Sequence, residues 1–124
     1  IRQNIFEKEF SNKITNDIQN FTLLGRQVER YPELKIGGPS TAWVNAALAE
    51  IEFQIGNEPP STPALCFLAE KDEIIDNLAV RTFCDRWDNC DLISMPEAKH
   101  DLSMEQKSIL AKLLFELDKF VKNN

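Results

Sequence analysis

Two short apolar runs, Ala64-Leu65-Cys66-Phe67-Leu68-Ala69 and Leu92-Ile93-Ser94-Met95, stand apart from the rest of this chain. The first lies between a proline-rich stretch, 57–63, and the charged cluster Glu70-Lys71-Asp72-Glu73. A continuous apolar run of this length, bounded by turn and charge, reads as a strand buried on both faces of a parallel sheet. The second run ends at Pro96. Between them Asp76 can cap a helix that sets Val80, Phe83, Cys84 and Trp87 on one face, and Asp88-Asn89 makes a turn. Strand, helix and strand in that order form the crossover unit of an α/β fold, with parallel strands and a right-handed connection. Two strands alone make a poor sheet. Apolar parallel strands want neighbours on both sides, and this chain is not expected to supply them.

The flanking segments read as helices. Phe21, Leu24 and Val28 recur at helical spacing from Thr15 or Asn16 onward, and Asn16 with Gln19 has capping-box spacing. Tyr31-Pro32 ends that helix, because a residue before proline is pushed out of the helical region. A loop follows over Lys35-Ile36-Gly37-Gly38-Pro39. Ser40 can cap a second helix whose apolar stripe is Trp43, Val44, Ala47, Leu48, Ile51 and Ile55, and Gly56 stops it. Trp43 and Trp87, on apolar faces, are expected in the core. After the second strand, Ser103 and Gln106 form another capping box, and the last helix lines up Leu110, Leu113, Leu114, Leu117, Phe120 and Val121.

Composition narrows the function classes. The 124 residues carry 14 Lys plus Arg against 20 Asp plus Glu, a net charge of −6, and that surface repels a phosphate backbone. Nucleic acid is therefore not an expected partner. The same charge weakens attraction to anionic lipid, yet peripheral contact with a membrane through an apolar face stays open. Cys66, Cys84 and Cys90 are odd in number and lack a C-x-x-C, so reduced thiols and a cytoplasmic setting are expected, although a Cys84–Cys90 disulfide fits the spacing. The start, IRQNIFEKEF, is charged throughout and unlike a signal peptide, and no apolar run approaches the roughly 20 residues of a membrane span. A chain that begins with Ile rather than Met is expected to lack an upstream part.

Four glycines, Gly25, Gly37, Gly38 and Gly56, provide no phosphate-binding fingerprint and no glycine-flanked nucleophile turn. Gly37-Gly38 follows no strand and reads as a loop. A single histidine excludes a multi-His metal site, and Cys84, Cys90 and His100 have no paired ligand spacing, so neither metal nor cofactor is expected. What remains is topological. In open parallel sheets, active sites form outside the carboxyl ends of the strands. Asp72 follows the first strand and His100 the second, so both emerge at one sheet edge. An Asp beside a His fixes the imidazole tautomer and stabilises the imidazolium, leaving the other ring nitrogen free as a base. Glu70, Glu73 and Asp76 compete for the acidic role, and Asp76 also explains itself as a helix cap. A solvated loop acid and a surface histidine are the plainer alternatives for the pair.

Four words carry a resemblance: F-L-A-E-K-D-E-I-I-D-N (67–77), R-T-F-C-D-R (81–86), C-D-L-I-S-M-P-E-A-K-H-D-L (90–102) and I-G-G-P-S-T-A-W-V (36–44). Together they resemble the C-terminal part of an α/β-hydrolase, in the lysophospholipase and monoacylglycerol lipase branch of the serine hydrolases. In that family the acidic triad residue precedes an aliphatic pair and Asp-Asn, which matches Asp72. The histidine follows P-x-A-x, which matches His100. Glu70 stands where the family often has glycine. The resemblance, which spans about residues 14 to 120, implies a helical cap, or lid, over 1–60 and a core segment over 61–124. The latter holds the last two parallel strands, their flanking helices, and the acid and base. It also implies a Ser-His-Asp triad acting on carboxylic esters of acyl lipids. Trp43 would then line the acyl pocket.

The family's nucleophile sits on a glycine-flanked elbow after an earlier strand, with its oxyanion-hole loop earlier still. Ser11, Ser40, Ser61, Ser94, Ser103 and Ser108 all lack that context, and Ser40 and Ser103 read as caps. The chain is therefore expected to be the second half of a hydrolase, inactive alone, whose missing N-terminal half supplies serine and oxyanion hole. The competing expectation is a non-catalytic fragment or interaction module that completes its sheet with a partner or a second copy of itself. The setting expected on either view is cytoplasmic, with peripheral contact at the inner face of a membrane on the lipid-hydrolase view.

Overall fold

A computed structural model describes residues 13–35 and 37–123. The charged start of the chain, Ser11 and Ile36 lie outside the described residues. Within them the order is helix α1 (Ile18–Arg30), a 3-10 turn (Pro32–Leu34), helix α2 (Thr41–Gly56), strand β1 (Ala64–Ala69), helix α3 (Asn77–Asp85), strand β2 (Cys90–Met95), a second 3-10 turn (Leu102–Met104) and helix α4 (Lys107–Asn123). The architecture is mixed α/β.

β1 and β2 run parallel, in register from Ala64 opposite Cys90 to Ala69 opposite Met95. The second strand begins at Cys90, two residues before the apolar run. Cys90 donates its N–H to Trp87 O at 2.9 Å, and Ala64 donates to Asn89 O at 2.9 Å. Side chains alternate across the sheet. Phe67, Ala69, Ile93 and Met95 face α4, where Ile109 and Leu113 close over a core of Ala69, Met95 and Ala98. The opposite face carries Leu68, 2% exposed, and meets α3 through buried Cys84. The three cysteines are free thiols, so the Cys84–Cys90 disulfide does not form. Burial, then the neighbouring Cys84, pushes the Cys90 thiol up to about 11.

The caps follow local chemistry, with corrections. Asp17, not Asn16, caps α1, its carboxylate accepting the N–H groups of Gln19 and Asn20 at 2.9 and 3.0 Å. Asn16 is drawn away by a distant partner described below. Tyr31 ends α1 with φ −128° and ψ 78°, as a residue before proline must. Ser40 caps α2, accepting from Trp43 N–H at 3.2 Å. Gly56 does not terminate α2 by turning left-handed; it is the last helical residue, and only Gly37 has a positive φ among the described residues, at 80°. Asn57 closes the helix instead by donating Nδ2 to Phe53 O at 2.6 Å. Arg86 donates to Ile55 O at 2.7 Å and to Asn57 O at 2.8 Å, placing a cation on the negative end of the helix. Ser103 caps nothing: it lies inside the second 3-10 turn, whose cap is Asp101. α4 starts later, at Lys107, with Gln106 O accepting its first N–H groups.

Two expectations about the core fail. α3 ends at Asp85, so Trp87 is not on its face. It folds back edge-on against Phe83, ring centroids 6.1 Å apart, and donates Nε1 to Thr62 O at 2.9 Å. The apolar stripe of α2 is not buried: Trp43 is 63% exposed and Leu48, Ile51 and Ile55 are half-exposed. The sheet has only two described strands, and no described element packs along that stripe.

Candidate active site

The ladder between β1 and β2 does not stop where the strands do. Glu70 donates its N–H to Met95 O at 3.2 Å and Lys71 to Ala98 O at 2.9 Å, so the two loops at the carboxyl edge leave side by side. Asp72 then turns back, its N–H on Ala69 O at 3.1 Å. Its carboxylate closes the turn: Oδ1 accepts the N–H groups of Ile74 at 2.7 Å and Ile75 at 3.1 Å. That leaves Oδ2 aimed at the other loop. Glu70 has no left-handed φ, so this turn does not require a glycine at that position.

His100 reaches the same place from β2. Ala98 N–H bonds to Met95 O at 3.1 Å, a tight turn forced by Pro96 ending the strand. The segment ahead of α1 then straps the loop down, with His100 donating its N–H to Lys13 O at 3.4 Å and Asp101 to Ile14 O at 2.8 Å. The imidazole Nδ1 lies 2.9 Å from Asp72 Oδ2. Asp72's side chain is 7% exposed and the imidazole 35%, so the acid is enclosed and the ring has one wet side. Among the described residues Nε2 has no hydrogen-bond partner. Burial pushes the Asp72 carboxyl up, but the Ile74 N–H, the imidazole and the Ile75 N–H together outweigh it and hold the group below its ordinary range. With the acid ionised, Nδ1 carries the proton and Nε2 presents a lone pair outward.

The competing acids are engaged elsewhere. Asp76 caps α3, accepting from Leu78 and Ala79 at 2.9 and 3.2 Å. Glu70 binds Arg81 and accepts the Ser94 hydroxyl at 2.6 Å; Arg81 first, then Ser94, lowers its pKa. Glu73 reaches Lys13 at 3.9 Å. None of Ser40, Ser61, Ser94, Ser103 and Ser108 bonds to His100. Cys90 and His100 sit at opposite ends of β2, and no described group of three His, Cys, Asp or Glu side chains is arranged to hold a metal ion.

One residue of the site was not anticipated. Glu105 is 1% exposed, the largest fully buried side chain of the described chain. Its Oε1 accepts Lys99 N–H at 2.8 Å, Asn16 Nδ2 at 3.0 Å and Asn16 N–H at 3.1 Å; Oε2 accepts Gln106 N–H at 3.3 Å. An acid between the Ser103 and Gln106 of a capping-box pattern carries no local sign that it will be buried. No helix among the described residues is long and apolar enough to cross a membrane. No protein-family model matches the chain, and neither a curated protein nor a solved structure matches it.

Proposed function

We propose that this chain carries the acid and base of a Ser-His-Asp carboxylic ester hydrolase, acting on acyl lipids of the lysophospholipid or monoacylglycerol class. The observation that carries the reading is the 2.9 Å contact between Asp72 Oδ2 and His100 Nδ1 at the carboxyl edge of two parallel strands, with Nε2 open. In the reaction, Nε2 takes the proton of the attacking serine and returns it to the leaving alcohol. It then removes a proton from the water that cleaves the acyl-enzyme. Asp72 keeps the proton on Nδ1 and stabilises the imidazolium. The serine and the oxyanion-hole donors belong to an upstream half that packs on this one. The lipid class follows from the resemblance, in which α1 and α2 form the cap over the acyl chain and the setting is cytoplasmic with peripheral membrane contact. A serine-directed fluorophosphonate probe tests the reading. This chain alone stays unlabelled, whereas a version extended through the upstream half labels and hydrolyses acyl esters. Asp72→Ala or His100→Ala in that extended protein cuts turnover by roughly three to four orders of magnitude. Full activity in either variant refutes the assignment.

A second reading rests on the exposed stripe of α2. A helix that is apolar on most sides is normally covered, so the chain would serve as an interaction module that completes itself on a partner or a second copy. Light scattering tests the second-copy form of this reading: a monomer at all concentrations excludes self-association.

A further inference from the structure

We propose that Glu105 is a positioning residue for His100, a buried carboxylate that sets the imidazole against Asp72 without touching either. Its catalytic meaning rests on the hydrolase reading; its effect on the ring does not. The loop between β2 and α4 has no regular structure before its 3-10 turn, so its path must be set by side chains. Glu105 sets it from the inside. Oε1 takes the N–H of Lys99, the residue directly before His100, at 2.8 Å. The same oxygen takes both Asn16 donors at 3.0 and 3.1 Å, which fastens the strap ahead of α1. Asn16 also donates Nδ2 to Glu97 O at 2.7 Å, and Thr15, 5% exposed, donates its hydroxyl to Met104 O at 2.8 Å. From this strap the carbonyls of Lys13 and Ile14 accept the N–H groups of His100 and Asp101. Backbone on both sides of the imidazole is thus tied, directly or through Asn16, to one carboxylate. Only an acceptor of this reach satisfies three converging donors at a dry site; without it the donors are orphaned and must move to find water.

His100 is the sole histidine, so its ring is read without interference in the 124-residue chain. The measurement is a proton–nitrogen correlation of the imidazole at a pH where it is neutral, which reports which ring nitrogen holds the proton. The unaltered chain shows the Nδ1–H form imposed by Asp72. Glu105→Ala loses that preference and reverts to the Nε2–H form favoured by free imidazole. Glu105→Gln, whose amide oxygen can take the place of Oε1, restores it. Trp87→Ala, which loosens the fold at the other end of the strands, lowers stability and leaves the tautomer unchanged. Should Glu105→Ala fail to fold, Glu105→Asp, one methylene short of the same donors, decides by the same loss. An unchanged tautomer in the folded Ala or Asp variant overturns the proposal, as does a Trp87→Ala variant that shifts the ring equally. A tautomer change in a chain whose extended form never labels with fluorophosphonate would refute the hydrolase reading and leave the role of Glu105 intact.

Discussion

Asp72 has two oxygens with separate duties: Oδ1 holds its own turn and Oδ2 holds His100. Because its folded pKa lies below the unfolded value, the stability it contributes is present above the ordinary carboxylate pKa, about 4, and is lost as pH falls through the lowered folded value. Denaturant unfolding across the acid range is therefore expected to show a drop that Asp72→Asn reduces, the remainder belonging to Glu70, whose carboxyl Arg81 and Ser94 also hold low. At neutral pH that variant is less stable by on the order of 1 kcal/mol, since an amide cannot serve all three donors. An acid limb that persists unchanged in Asp72→Asn would assign it to another carboxylate.

The caps decide where each helix begins, and they separate structural acids from the acid on His100. Asp76→Ala removes the acceptor of two N–H groups at the start of α3 and should cost about 1 kcal/mol. The His100 ring signal should not move, because Asp76 belongs to the helix and not to the pair. A shifted ring signal would mean that α3 and the Asp72 turn move together. Ser103→Ala is expected to cost less than about 0.5 kcal/mol, since Asp101 already accepts the Ser103 N–H. A loss as large as that of Asp76→Ala would restore Ser103 as a cap. Strand ends and pre-proline breaks were legible from local pattern, as at Ala64–Ala69 and Tyr31. The cap of α1 was not, because Asn16 and Asp17 are equally good caps in isolation and the choice was made by Glu105, 89 residues away.

Across the whole molecule, the core of the described residues is small, with Leu68 and Cys84 buried on one face of the sheet and Ala69, Met95 and Ala98 on the other. Ala69, Met95 and Ala98 bury against α4, while the stripe of α2 faces water. Replacing Leu48 and Ile51 with Lys is accordingly expected to leave the unfolding free energy of this chain within about 0.5 kcal/mol of the original. The same pair should weaken association with an upstream half or a second copy, which sizing would register. A large loss of stability in the chain alone would show that the stripe is covered within it.

By itself the amino-acid sequence determined the two strands, their parallel pairing and the edge at which Asp72 and His100 emerge. These follow from short-range facts: apolar run length, the helix between the runs, and the number of residues past each strand end. Only the tertiary structure decided that the two side chains meet at 2.9 Å, that Glu105 and not a surface acid holds the histidine loop, and that the α2 stripe is left open. Each of those depends on groups far apart in the chain converging on one atom or failing to cover one face. No local periodicity records such convergence, because its energy comes from desolvation and hydrogen bonding in the assembled interior.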